Sequence, residues 1–333
     1  MPIRMSDYDN QHEDQTENVL DSLLPERSGK RELTIGQSLR ARMIAEARTS
    51  TELSRSLKSI HKMTEACRKN DIHKVRELVS GGFDVLETIS HRIRLEGLSL
   101  HLLIMQSAAW IHLASAYDAK DVVTELLRLG ENASRAIKVS HEERDSGVLT
   151  PVACAVLENS PEALKVLLAS GADTTTLIPV SVYQDYAALA NVPVLKEARG
   201  GRGILERMFG LRGQNVSPVS VAANLGHLAV LRVLIESGTE VNARDEKQNT
   251  PLHHGAAAGH VEVVRFLIES GAEVDARDEN QSNSLHWAVS AGFEYNFGWT
   301  FDSFKPVDGN HVEVVRVLID SGAEVDARDK YGR

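Results

Sequence analysis

Cysteine is nearly missing from this chain. Cys67 and Cys154 are the only two among 333 residues, too few for a disulfide framework, and they point to a reducing compartment. Positive charge is also short. Lys and Arg number 37 against 47 Asp and Glu, a formal net charge of −10. That balance argues against nucleic acid as the main partner, because phosphate binding draws on a clustered basic surplus. No stretch approaches the ~20 apolar residues that a membrane helix requires. The opening residues, MPIRMSDYDNQHEDQTEN, are polar and acidic with no apolar run behind Arg4, unlike a secretory signal or a transit peptide. These absences predict a cytoplasmic protein, with the nucleus also open to it, and with no membrane span.

Catalytic signatures are missing as well. There is no nucleophile elbow, no H-E-x-x-H helix and no CxxC pair. The glycines of ARGGRG at 198–203 lack the following GK[ST] that would place a lysine and magnesium at a phosphate, so the segment reads as a turn. Thirteen histidines invite a search for metal. His253 and His286 sit at equivalent places in neighbouring segments, where packed helices would hold them ~8–10 Å apart, too far for ligands with metal bonds of ~2 Å. His253 and His254 point ~100° apart around a helix. Neither pair makes a site. No catalytic residue, metal, cofactor or small-molecule substrate is expected.

What the sequence does contain is a period. ARDEKQNTPLHHGAAAGHVEVVRFLIESGAEVD is followed by ARDENQSNSLHWAVSAG and HVEVVRVLIDSGAEVD, so Asp245 and Asp278 stand 33 residues apart. Asp329 follows after 51, and removing an 18-residue insert, Phe293 to Asn310, restores 33. Each period has a physical logic. Thr250 caps a helix that Pro251 opens, proline at the first helical position wasting no N–H. Gly259 supplies a left-handed stop. A second helix from His260 buries Val264, Leu267 and Ile268 until Gly271 ends it, and an extended turn leads to the next period. Helices this short cannot stand alone, so neighbouring periods must stack.

A 33-residue unit of a turn and two helices, carrying TPLH and GHVEVVRFLIESGAEVDARD, resembles the ankyrin repeat. The resemblance implies an all-α ankyrin-repeat solenoid with an N-terminal helix, and histidines at repeat positions that hold turns together by hydrogen bonds. Fainter copies, such as TPVACAVLENSPEALKVLLASGAD from Thr150 and MTEACRKNDIHKVRELVSGGFDV from Met63, extend it toward the N-terminus. The expected organisation is a disordered acidic tail at 1–30, a basic amphipathic segment at 31–62, and an array over 63–333. Its units fall near 63–90, 104–137, 145–177, 212–244, 245–277 and 278–328, the last holding the insert 293–310. Extra turn residues are expected near 90–104 and 135–145. Residues 178–211 read as a degenerate unit or a long excursion, since Pro193 and a glycine cluster stand where a second helix should run. RDKYGR opens a further unit, truncated at 329–333, so the array is expected to continue beyond it. The basic segment reads either as a helix that caps the first unit or as one that binds a partner or an anionic surface.

Proteins similar to this one dock a protein partner on the concave face made by turn tips and first helices. Carried over by position, that face comprises Gln214 and Asn224, then Glu246, Lys247, Asn249 and Ala257, then Glu279, Asn280, Ser282 and Ser290, all polar or small and expected to face solvent. The aspartates at 245, 278 and 329, each preceded by arginine, read either as a charged strip or as turn residues that bond the following backbone. Aromatics make up only 5% of the chain, yet Phe293, Tyr295, Phe297, Trp299, Phe301 and Phe304 crowd the insert. Alternation would put Tyr295 and Trp299 on one side of a strand, and the insert reads as a docking loop, as a loop packed within the molecule, or as a retained non-coding segment of the gene. The functional expectation is a non-enzymatic scaffold or adaptor for another protein. The alternative is the targeting region of a longer protein with an effector domain beyond the truncated unit.

Overall fold

The computed structural model describes residues 58–86, 109–141, 144–179, 215–291 and 309–332. The chain divides into two parts, Met1–Ile60 and His61–Arg333. Of the first, residues 58–60 are described and are helical; the acidic tail and the basic segment up to residue 57 lie outside the described residues.

In the second part, helices come in pairs. α1 (61–69) is followed by α2 (Ile72–Ser80), α3 (Trp110–Ala116) by α4 (Lys120–Arg128), and α5 (Pro151–Leu157) by α6 (Pro161–Ala169). Three more pairs follow: α7 (Pro218–Leu225) with α8 (Leu228–Glu236), α9 (Pro251–Ala257) with α10 (Val261–Glu269), and α11 (Ser284–Ala291) with α12 (Gly309–Asp320). The starts obey local chemistry. Thr150 Oγ1 accepts from Ala153 N at 3.2 Å and Ser217 Oγ from Ser220 N at 3.2 Å, with Pro151 and Pro218 just inside each helix. Thr250 and His253 close a capping box on α9.

First helices pack against first helices, and second against second, so the array is a two-layered stack. This arrangement decides what is buried. Every residue of α3, α5 and α9 is out of water, and α5 and α9 each lie between two neighbouring first helices and their own partner helix. The second helices keep an outer face wet and bury a broad stripe. In α10 that stripe is Val263, Val264, Phe266 and Leu267. The sequence reading placed Ile268 in it and omitted Val263 and Phe266; Ile268 is half-buried. The correction has a simple cause, since α10 packs on α9 as well as on α8 and α12, and so needs a wider face than one partner would require.

Two short antiparallel pairings interrupt the helices. β1 (Ile137–His141) and β2 (Arg144–Leu149) form a hairpin between α4 and α5, with Ile137 opposite Leu149, where the sequence has its extra turn residues. β3 (Ile178–Pro179) pairs with β4 (Asn215–Val216), Ile178 opposite Val216. The chain therefore leaves the stack and returns at one point, and α5–α6 stacks directly on α7–α8. No unit formed from 178–211 stands between them; residues 180–214 lie outside the described residues. Among the described residues, no helix is long and apolar enough to cross a membrane.

Replacing fully buried Leu267 with alanine is expected to cost about 2–5 kcal/mol. Glu279→Ala, at an exposed turn tip, should change stability by no more than ~0.5 kcal/mol. Urea titrations of the two variants check the contrast, and equal losses would remove Leu267 from the interior of the stack.

Joints between helix pairs and the candidate partner surface

Between the two helices of a pair the chain reverses through a left-handed residue. Asn70, Asp118 and Asn159 take that place in the first three pairs, with φ of 52°, 55° and 55°, and Gly226 and Gly259 in the next two, at 75° and 72°. Asn and Asp tolerate the conformation because their short polar side chains bond locally. Asn70 and Asp118 also reach the next pair. Asn70 Oδ1 accepts from Asp121 N at 2.9 Å and Val122 N at 3.1 Å, and Asp118 Oδ1 from Ala163 N at 2.7 Å, satisfying donors at the starts of α4 and α6.

From the fourth pair on, the joint changes. A Cβ on Gly226 would stand 2.8 Å from the His260 ring, and one on Gly259 2.9 Å from the His311 ring, so the imidazole fills the space a side chain would need. Each ring donates to a first-helix carbonyl of the preceding pair. His227 Nδ1 reaches Val156 O at 2.9 Å, His260 Nε2 reaches Asn224 O at 2.9 Å, and His311 Nε2 reaches Ala257 O at 3.1 Å. In the third pair Ser160 Oγ does the same to Ala116 O at 3.0 Å. His311 holds its place even though the insert separates it from Gly292 in sequence.

The turns, or fingers, between pairs are held from inside. Asp245 Oδ1 accepts from Lys247 N at 2.9 Å and Asn249 N at 2.8 Å, while its Oδ2 accepts from Asn249 Nδ2 at 2.9 Å. Asp278 repeats this with Asn280 N at 2.7 Å and Ser282 N at 2.8 Å, and Asp329 with Tyr331 N at 2.9 Å. Adjacent fingers are tied by Glu279 N to Lys247 O at 2.9 Å and Lys330 N to Asn280 O at 2.8 Å. These aspartates build turns.

His253 is spent on structure at both nitrogens. Thr250 N donates to its Nδ1 at 3.1 Å, and its Nε2 donates to Ser282 O at 3.2 Å in the next finger. Burial pulls its pKa down to about 4. His112 occupies the same helix position in α3, and burial likewise pulls it to about 4. Burial pushes the Cys67 thiol up to about 12 and raises Cys154 too, so neither offers a thiolate. Among the described residues, no group of His, Cys, Asp or Glu could hold a metal ion.

The candidate partner residues divide sharply. Glu246, Glu279 and Ser290 are exposed, and Lys247 and Asn280 are partly so. Four others expected at the surface are not there: Asn224 is 7% exposed, Asn249 1%, Ala257 3% and Ser282 7%. Their burial follows from the joints, because Asn249 and Ser282 are drawn inward by Asp245 and Asp278, while the carbonyls of Asn224 and Ala257 receive the next histidine. Gln214, Tyr295 and Trp299 lie outside the described residues. The sequence reading missed Trp287. It is half-buried in α11, donates from Nε1 to Asp278 Oδ2 at 3.0 Å, and sets its ring edge-on to His253 and His254 at 5.7 and 6.0 Å. The signal was its alignment with His254, one period upstream.

Stacked helix pairs, left-handed reversals and histidine bonds between pairs define a helical solenoid with almost no strand. Residues 219–329, the last three pairs, match the family model described as ankyrin repeats in three copies, so this part of the chain is an ankyrin repeat array. Ankyrin repeats mediate protein–protein interaction as non-enzymatic modules. No curated protein matches this chain.

Two outcomes follow from the joints. Between pH 6.5, the ordinary histidine value, and about 4, the unfolded chain binds protons at positions 112 and 253 that the native state refuses. Stability present above pH 6.5 should therefore drain away as pH falls through that window. Urea titrations at stepped pH should show a shallower decline in a variant carrying His112→Gln and His253→Gln. Gly259→Ala places a side chain at φ +72° against the His311 ring and should cost more than Gly322→Ala, where φ is +90° but nothing lies within 4 Å. Strain alone accounts for about 1–3 kcal/mol at either position, and thermal melts compare the two.

Proposed function

We propose that the protein is a non-enzymatic scaffold, working in the cytoplasm, that captures another protein on the concave edge formed by its finger tips and first helices. One observation carries this reading. The carboxylates of Asp245 and Asp278 are committed to holding the fingers together, drawing Asn249 and Ser282 inward, while the exposed carboxylates of Glu246 and Glu279 form no hydrogen bond or ion pair with any described residue. Side chains that the fold does not use are those whose identity is free to encode a partner. Lys247, Asn280 and Ser290 flank them. Gln214, and Tyr295 and Trp299 of the insert, join this surface as candidates from the sequence.

The reading is tested by replacing Glu246, Lys247, Glu279 and Asn280 together with alanine. Partners captured from cells by the unaltered protein are identified first, and their affinities for both forms are then measured. The expected result is binding weakened by about tenfold or more, with the urea midpoint little changed. Unaltered affinity would move the interface off the fingers.

A further inference from the structure

Among the described residues, every junction between pairs but one carries a polar stitch where the chain leaves a second helix for its finger. Between the first two pairs Arg135 Nη1 donates to Leu86 O at 3.0 Å, and between the second and third Ser134 Oγ accepts from Asp173 N at 2.9 Å. Later stitches are fuller. Asn242 Oδ1 accepts from Glu273 N at 2.9 Å and its Nδ2 donates to Gly271 O at 3.2 Å, while Arg244 Nη1 donates to Arg277 O at 2.8 Å. One repeat on, Asp275 Oδ1 accepts from Glu324 N at 2.9 Å, and Arg277 Nη2 donates to Glu324 Oε2 at 2.7 Å.

The junction between the third and fourth pairs has half of this arrangement. Glu240 stands where Glu273 and Glu324 stand in the next two repeats, yet neither its N–H nor its exposed carboxylate has a partner among the described residues. The places of Asn242 and Arg244 are taken by Thr175 and Leu177. Thr175 turns back on its own loop, where Asp173 accepts from its N at 2.7 Å and its Oγ1 at 2.6 Å, and also from Thr176 Oγ1 at 2.6 Å. Leu177 has no polar side-chain group and is 42% exposed. α5 also meets α7 over a smaller contact than α7 meets α9. What ties these pairs lies away from the fingers: the His227 bond to Val156 O at 2.9 Å, and the packing of α6 on α8.

We infer that this junction is a hinge on which the stack bends as two blocks of three pairs. Its closed end is the His227–Val156 bond, and its free end is the finger side of α5 and α7, where Glu240 waits for a stitch that Thr175 and Leu177 do not supply. Hinges are a few residues at element ends that absorb a rotation between rigid bodies. The hinge does not rest on the reading proposed for the finger tips.

The test uses the full chain with spin labels at introduced cysteines, the native Cys67 and Cys154 being buried. Ser170→Cys with Ser270→Cys spans the hinge and the junction after it; Ser237→Cys with Ser321→Cys spans two stitched junctions. Double electron–electron resonance should give a distance distribution about twice as wide for the first pair. Thr175→Asn with Leu177→Arg supplies the missing half of the stitch and should narrow that distribution to the width of the second. Asn242→Thr with Arg244→Leu, the converse exchange, should widen the second. Independently of the labels, amide exchange at Glu240 should run about tenfold or more faster than at Glu273, and should slow in the repaired variant. The hinge is overturned by equal widths in the two pairs, by a width that the repair leaves unchanged, or by a Glu240 amide protected as well as that of Glu273.

Discussion

A helix of seven residues with every side chain buried has no face of its own to give to water. α9 is such a helix, and so is α5; each exists because a neighbour stands on either side. Isolated helices this short are unstable, so the free energy of the array resides at the contacts between repeats. That constraint explains where the polar chemistry goes. Histidines, asparagines and aspartates of this fold are consumed in fixing the distance and angle between one pair and the next, and little of it remains for a site.

The joints show two solutions to one problem. Where Asn70 or Asp118 reverses the chain, the side chain of the reversing residue caps the next repeat's helix. Where Gly226 or Gly259 does so, the next repeat's imidazole enters the space and bonds a carbonyl. The first type is accompanied by an ion pair: Glu125 has a buried carboxylate held between Arg128 and Arg76, which keep its pKa down at about 2. The second is accompanied by imidazole-to-carbonyl bonds, His260 to Asn224 and His311 to Ala257.

Much of the fold was legible because the local signals agree with one another. Thr250, Pro251, Gly259 and Gly271 mark the ends of the helices in the sequence and in the structure alike. The period of 33 required a stack. The exposure of polar residues was less legible, since Asn249 and Ser282 look like surface residues until the carboxylates of Asp245 and Asp278 are seen to draw their backbone N–H groups inward. Those bonds form between residues two to four apart, but they turn the chain toward the body of the stack, and residue type alone does not reveal that. Trp287 was passed over for the converse reason: its upstream equivalent is a histidine, and a change of residue type hid a shared position.

β3 and β4 have a mechanical consequence. The covalent path from α6 to α7 detours through residues 180–214, while the stack passes straight from α5 to α7 and from α6 to α8. Pulled from its ends, the array would carry load at this junction through packed side chains and the His227 bond, because residues 179 and 215 are already paired side by side and the covalent path between them is longer than the gap it spans. Were the junction to part, the intervening residues would pay out at roughly 3.3–3.6 Å each before the backbone drew tight. The two halves would then separate by a distance on the order of 100 Å with both still folded.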